Sequence, residues 1–200
     1  MLLAHTGEQS GFLRQSVKAL VTVDVARALS VAKSANVAVR RDRALLNFVE
    51  AGAKVIKDAP ELILVAGALN GFYDLEMRDE ATVCLLEGLA ENKRLNQELL
   101  HHLKESRLFV EKIASSSERC RALCLMRSMY VRPEWASAFE EFLSGVDTLL
   151  LATWNSIDAL WLQIDAGFKI ADSIAASSPG LAADYIKKAG ICSGSLKAIR

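Results

Sequence analysis

Proline and glycine are scarce in this 200-residue chain, with 3 and 11 copies. Few points therefore force a helix to stop or demand a left-handed backbone. Histidine is as scarce as proline, at 3 copies. Four cysteines, Cys84, Cys120, Cys124 and Cys192, fall short of a disulfide-stapled secreted domain. Cys120 and Cys124 are four apart on one prospective helix face, a poor setting for a disulfide and a natural one for two small core residues. Net charge is missing as well, because 24 Lys plus Arg balance 24 Asp plus Glu. No global field draws the chain to nucleic acid or to anionic lipid. No apolar run approaches the roughly 20 residues of a membrane span. The opening MLLAHTGEQSG lacks the basic and apolar regions of a signal peptide. These absences predict a soluble, cytoplasmic protein with reduced thiols.

What the chain does have is a hydrophobic fraction of 52%, rich in Ala and Leu, which favours helix throughout. It also has a recurring phrase. RRDRALLNF, EMRDEATVCLL and SERCRALCLM each set Arg a few residues before Ala and an apolar run. Anchored on Ala44, Ala81, Ala122, Ala159 and Ala198, the intervals are 37, 41, 37 and 39 residues. Intervals of that size fit two helices and two connections per unit.

Neighbouring columns agree with the anchor. One residue after it stand Leu45, Thr82, Leu123, Leu160 and Ile199, and four after it stand Phe48, Leu85, Met126 and Gln163. Thirteen before it stand Val31, Ala68, Phe109, Val146 and Tyr185, and nine before it Ala35, Phe72, Ile113, Leu150 and Ala189. Asp147 and Gln163 make the fourth unit the least regular. Steps of one, three and four between these columns are those of an apolar helix stripe. Each unit reads as helix, short turn, helix.

Asn36, Gly71 and Gly190 fall where the first helix should stop. Pro60, Pro133 and Pro179 are each placed to open a helix. Asp42 and Asp79 stand where a side-chain oxygen would cap the second helix. The neighbouring Arg can reach an adjacent unit or its last carbonyls. The phrase is thus a packing rule.

The architecture expected is all-α: an α-α superhelix, or solenoid, of about five helix-turn-helix units of 37–41 residues. One domain would span 1–200, with 1–23 a lead-in or capping helix and 24–199 the repeats. Units of this length, with small residues where helices cross, resemble the tetratricopeptide and HEAT class of helical repeats. VARALSVAKSANVAVRRDRALLNFVEAGAKV resembles its divergent, Ala-rich members. The resemblance implies a curved surface presented to a partner protein, and it carries over no binding residues.

Catalytic and metal chemistry find little purchase. Glu98, His101, His102 and Glu105 share one helix, but a di-iron bundle needs a second Glu-x-x-His, and His5 cannot supply it. A Cys nucleophile lacks a nearby His base, and no phosphate-cradling Gly-rich loop is present. The expectation is a non-catalytic scaffold or interaction module, without cofactor or metal, that binds a protein or its own copy. The alternative is a helical bundle holding a small molecule or metal.

Candidate partner contacts are the arginines Arg40, Arg41, Arg43, Arg119 and Arg121, which could form a basic ridge, and Trp135. The arginines paired locally with Asp42, Asp79 or Glu118 are the competing reading, and nucleic-acid binding is not expected. Tyr185, Ile186 and Ile191 complete the set, because the fifth unit halts at Arg200 and its apolar face should meet another chain or the N-terminal segment. Leu46, Phe48, Val83, Leu85, Leu123, Met126, Leu160 and Trp161, with Val31, Phe72, Phe109, Ile113 and Leu150, are expected to be buried.

Overall fold

The computed structural model describes the backbone of residues 2–105 and 107–198 and the side chains of residues 11–104, 107 and 109–191. It is all-α, and no strand occurs among the described residues. The helices are α1 (Leu2–Val21), α2 (Val25–Lys33), α3 (Ala38–Val55), α4 (Ala59–Gly67), α5 (Leu75–Glu91), α6 (Gln97–Glu105), α7 (Arg107–Glu111), α8 (Ser116–Tyr130), α9 (Glu140–Asn155), α10 (Leu160–Ile174) and α11 (Pro179–Ala198). Short 3-10 turns, Ala68–Gly71 and Ala136–Phe139, follow α4 and precede α9. The chain divides into two compact units, Met1–Phe109 and Val110–Arg200.

Polar side chains set four of the helix starts. Asp24, Asp58, Asp74 and Ser115 each accept a backbone N–H of the first turn of α2, α4, α5 and α8. Asp42 and Asp79 do not cap, which corrects the sequence expectation. Both already lie inside α3 and α5, past the first turn, where backbone donors are taken by the helix itself. Pro60 and Pro179 open α4 and α11 as expected. Pro133 does not; a turn and a 3-10 segment separate it from α9. Gly190 does not stop α11, which continues to Ala198. An interior glycine weakens a helix by about 1 kcal/mol, too little to end one by itself.

In the first unit, α2 packs on α4 and α4 on α6, while α1 packs on α3 and α3 on α5. The α3–α5 pair is parallel and tied at both ends. At the N-terminal end the buried Asp42 carboxylate accepts the backbone N–H of Asp74 at 2.8 Å and of Tyr73 at 3.2 Å. At the C-terminal end the buried Asn92 amide donates to the carbonyls of Ala53 (3.2 Å) and Ile56 (3.0 Å). Between these ties the backbones approach closely. A Cβ added to Gly88 would stand 2.5 Å from that of Ala53, so only glycine fits without displacement. Lys18 reaches Glu50 at 3.2 Å and aligns α1 with α3 in the same sense.

In the second unit α8 packs on α9 and α10, and α10 on α11. The parallel α8–α10 pair is also tied at both ends, by other chemistry. Ser116 and Ser156 share a hydroxyl hydrogen bond of 3.0 Å near the helix starts. Near the ends, the buried Arg127 donates to Ser177 Oγ (2.6 Å) and Ser178 Oγ (2.7 Å), and binds Asp147 at 2.6 Å.

The helices α3, α5 and α8 each begin six residues before Ala44, Ala81 and Ala122, and all three alanines are buried. Ala159, by contrast, is only the residue before α10. The buried alanine six residues inside that helix is Ala166, 44 residues after Ala122. The true register is therefore seven residues later than the spacing predicts. Trp154 and Ile170 then take the core columns to which Asp147 and Gln163 were assigned, and both are buried.

The correction explains Trp161, expected in the core and found 65% exposed. Phe48, Val83, Leu85, Leu123, Met126, Ile113 and Leu150 are buried as expected, and Val31, Leu46, Phe72, Phe109 and Leu160 are half-buried.

Candidate interaction surface

The five candidate arginines have separate fates. Arg41 lies over the Tyr73 ring at 4.8 Å and donates to its hydroxyl at 3.1 Å, so it fastens α3 to the elbow before α5. Arg119 donates through Nε to the Ile113 carbonyl at 2.9 Å, closing the turn before α8. Arg121 is exposed and faces Glu118 at 3.5 Å, one helical turn back. In the second unit, then, the arginines serve the elbow, as local pairing predicts. Arg78, bound to Asp79 at 2.8 Å, does likewise in the first.

Arg40 and Arg43 are different. They stand on the outer face of α3 and line a groove of about 760 Å³ whose other wall is α1. A third guanidinium, Arg14, faces them from α1. None of the three guanidinium groups makes an ion pair or a hydrogen bond with a described residue. Val37, Val39 and Leu46 supply the apolar lining, and Val37 and Val39 are 51% and 59% exposed. The single carboxylate in the lining, Glu50, is engaged by Lys18 at 3.2 Å. Among the described residues the groove thus combines positive charge without a paired carboxylate on both walls with exposed branched side chains.

Arg14 was invisible to repeat alignment because α1 precedes the first anchor. A weaker signal was present. Val17 and Val21, both buried, mark the inner stripe of α1, and a residue three before Val17 flanks that stripe at the seam with α3.

The aromatic candidates are committed to their own unit. Trp135 is half-buried, donates to the Met129 carbonyl at 2.9 Å and carries Arg132 5.6 Å from its ring centre. Tyr185 is 1% exposed, edge-on to Trp154 at 5.5 Å. It cannot meet a partner, because the Ala182–Tyr185–Ala189 stripe of α11 faces inward. Ile186 and Ile191, beside that stripe, are 50% and 63% exposed.

The thiols sit between α8 and α10, where a crevice of about 390 Å³ is lined by Cys120, Cys124 and Ser173. Burial pushes the Cys120 thiol up to about 12 and raises Cys124 too, so both hold their protons at neutral pH. No histidine occurs in residues 110–200. His101 is exposed and His102 half-buried on α6, and the Glu105 side chain lies outside the described residues. Among the described residues no three His, Cys, Asp or Glu side chains converge to hold a metal ion. Nor is any described helix long and apolar enough to cross a membrane.

No protein-family model, curated protein or solved structure matches the chain.

Proposed function

We propose that this chain is a non-catalytic helical-repeat module, an α-α superhelix of the tetratricopeptide and HEAT kind, that holds a partner protein or a second copy of itself in the cytoplasm. The observation that carries the reading is the repeated helix pairing. The parallel α3–α5 and α8–α10 pairs are each tied at both ends by side chains. Repeats joined this way leave outer helix faces free to differ from unit to unit, which is how such arrays present a surface. A groove lined by Arg14, Arg40 and Arg43 lies on such a face.

The test uses the full-length chain. Sedimentation equilibrium and crosslinking mass spectrometry in extract should give a partner protein or a second copy at near-stoichiometric yield. A chain that stays alone in both measurements overturns the reading. So does stoichiometric iron, zinc or an organic chromophore in the purified protein, which would favour a ligand-holding bundle.

A further inference from the structure

From the groove between α1 and α3 we infer that the partner's contribution is an acidic, amphipathic peptide segment, bound with its carboxylates on Arg14, Arg40 and Arg43 and its apolar residues against Val37, Val39 and Leu46. The inference rests on the interaction-module reading and gives it a site.

Charge is the first argument. An arginine on a protein surface usually finds a carboxylate nearby, and this chain has as many acids as bases. Arg121, Arg78 and Arg127 each have one. Arg14, Arg40 and Arg43 converge on one groove with none among the described residues, and the only acid there is neutralised by Lys18. Three guanidinium groups held near one another repel, so a ligand that supplies carboxylates relieves that repulsion. Bidentate pairing with a carboxylate adds directional hydrogen bonds.

Shape and lining are the second. Arg40, Arg43, Asn47 and Glu50 follow one another at helical spacing along α3. At about 1.5 Å per residue they mark out a track roughly 15 Å long. That length accommodates two to three turns of a helix or a short extended strand. Branched apolar side chains in the lining reward burial of Leu, Ile or Phe and offer nothing to a sugar-phosphate chain. A single-stranded nucleic-acid site stacks bases on aromatic side chains, and none of the described residues lining this groove is aromatic. The acidic peptide is therefore favoured over RNA or DNA.

A random 12-residue peptide display library, selected on the full-length protein and counter-selected on R40E/R43E, tests the inference directly. Enriched peptides should carry two or more Asp or Glu beside branched or aromatic residues. As synthetic peptides they should bind the wild type with an affinity that falls as salt rises. R40E/R43E and R14E should each weaken binding at least tenfold, and R121E, in the second unit, should leave it unchanged. Circular dichroism must show equal helicity in all variants; Arg40→Gln with Arg43→Gln serves as a milder pair should the reversals unfold.

Enriched peptides without acidic residues, binding that ignores both arginine pairs, or no enrichment at all would overturn the inference. Tighter binding of a 12-nucleotide single strand would overturn it in favour of nucleic acid. Protein capture that persists in R40E/R43E sinks the groove alone and leaves the module reading standing; loss of all capture by the wild type sinks both.

Discussion

The two compact units solve one problem with different chemistry. Each must hold a parallel pair of second helices in step. The first unit does it with buried side chains that bind backbone: Asp42 takes the N–H groups of Tyr73 and Asp74, and Asn92 gives to the carbonyls of Ala53 and Ile56, while its side-chain pairs, Arg41 with Tyr73 and Lys54 with Glu91, lie nearer the surface. The second does it with side chains that bind side chains: Ser116 to Ser156, and Arg127 to Asp147, Ser177 and Ser178. A backbone tie asks only that the neighbouring elbow keep its path. A side-chain tie requires several residues to be right together. The first design tolerates sequence drift in the elbow, while the second makes Arg127 a single point of failure.

The largest effect should come from the shared core column, four residues after the anchor. Phe48 and Met126 occupy it in the two units, and both are fully buried. Phe48→Ala should destabilise by about 3–5 kcal/mol and Met126→Ala by about 2–5 kcal/mol, read from urea unfolding. A negligible loss for Met126→Ala would break the equivalence of the units.

The ties come next. Arg127→Leu should cost about 3 kcal/mol, because it strands the Asp147 carboxylate and two hydroxyls. Arg127→Leu with Asp147→Leu should recover much of the loss, as expected where an unpaired charge is the main penalty. Asp42→Ala leaves two backbone N–H groups without their acceptor and should cost about 1–3 kcal/mol. Hydrogen exchange should localise that loss to the elbow at residues 72–75. Exchange unchanged there would remove the backbone tie from the comparison.

Alkaline pH should separate the units further. Burial pushes the Cys120 thiol up from the ordinary thiol range to about 12, and raises the Tyr130 and Tyr185 hydroxyls in the same direction. Between pH 9 and 12 the unfolded chain releases protons that the folded chain keeps, so stability falls as pH rises through that window. Thermal melts at pH 8 and 10 should show the second unit losing stability first, and Cys120 should resist alkylation at pH 8 while the protein is folded. The smallest effect is expected for Trp161→Ala, within about 0.5 kcal/mol, because the ring stands in solvent. A loss of several kcal/mol would restore the uncorrected register.

Much of this fold was legible because α3, α5 and α8 share one helix start and one set of core columns. The α10 register slipped for a physical reason. Seven residues are almost two helical turns, and the stripe rotates by only about 20° over that distance. A register wrong by seven still points its apolar residues inward, so periodicity could not expose the error. The mismatched Asp147 and Gln163 were its trace. The role of Asp42 was hidden differently: a carboxylate accepts from any free N–H, and the sequence does not say that the donors lie 31 and 32 residues away. The groove was half legible. Arg40 and Arg43 stood out as charge, but their separation from Arg41 depends on Tyr73, and Arg14 belongs to a helix outside the aligned columns.

The ties also set a timetable for folding. Lys18 meets Glu50, Arg41 meets Tyr73, and Asn92 meets Ala53 across 32, 32 and 39 residues, and Ser116 meets Ser156 across 40. The Arg127 tie to Ser177 and Ser178 spans 50 and 51. Contacts of such modest span close quickly, because little loop entropy is lost before each is formed. As the chain leaves the ribosome, each of these ties can close once the next helix but one has emerged. Assembly can then proceed hairpin by hairpin, exposing only the newest apolar face at any moment.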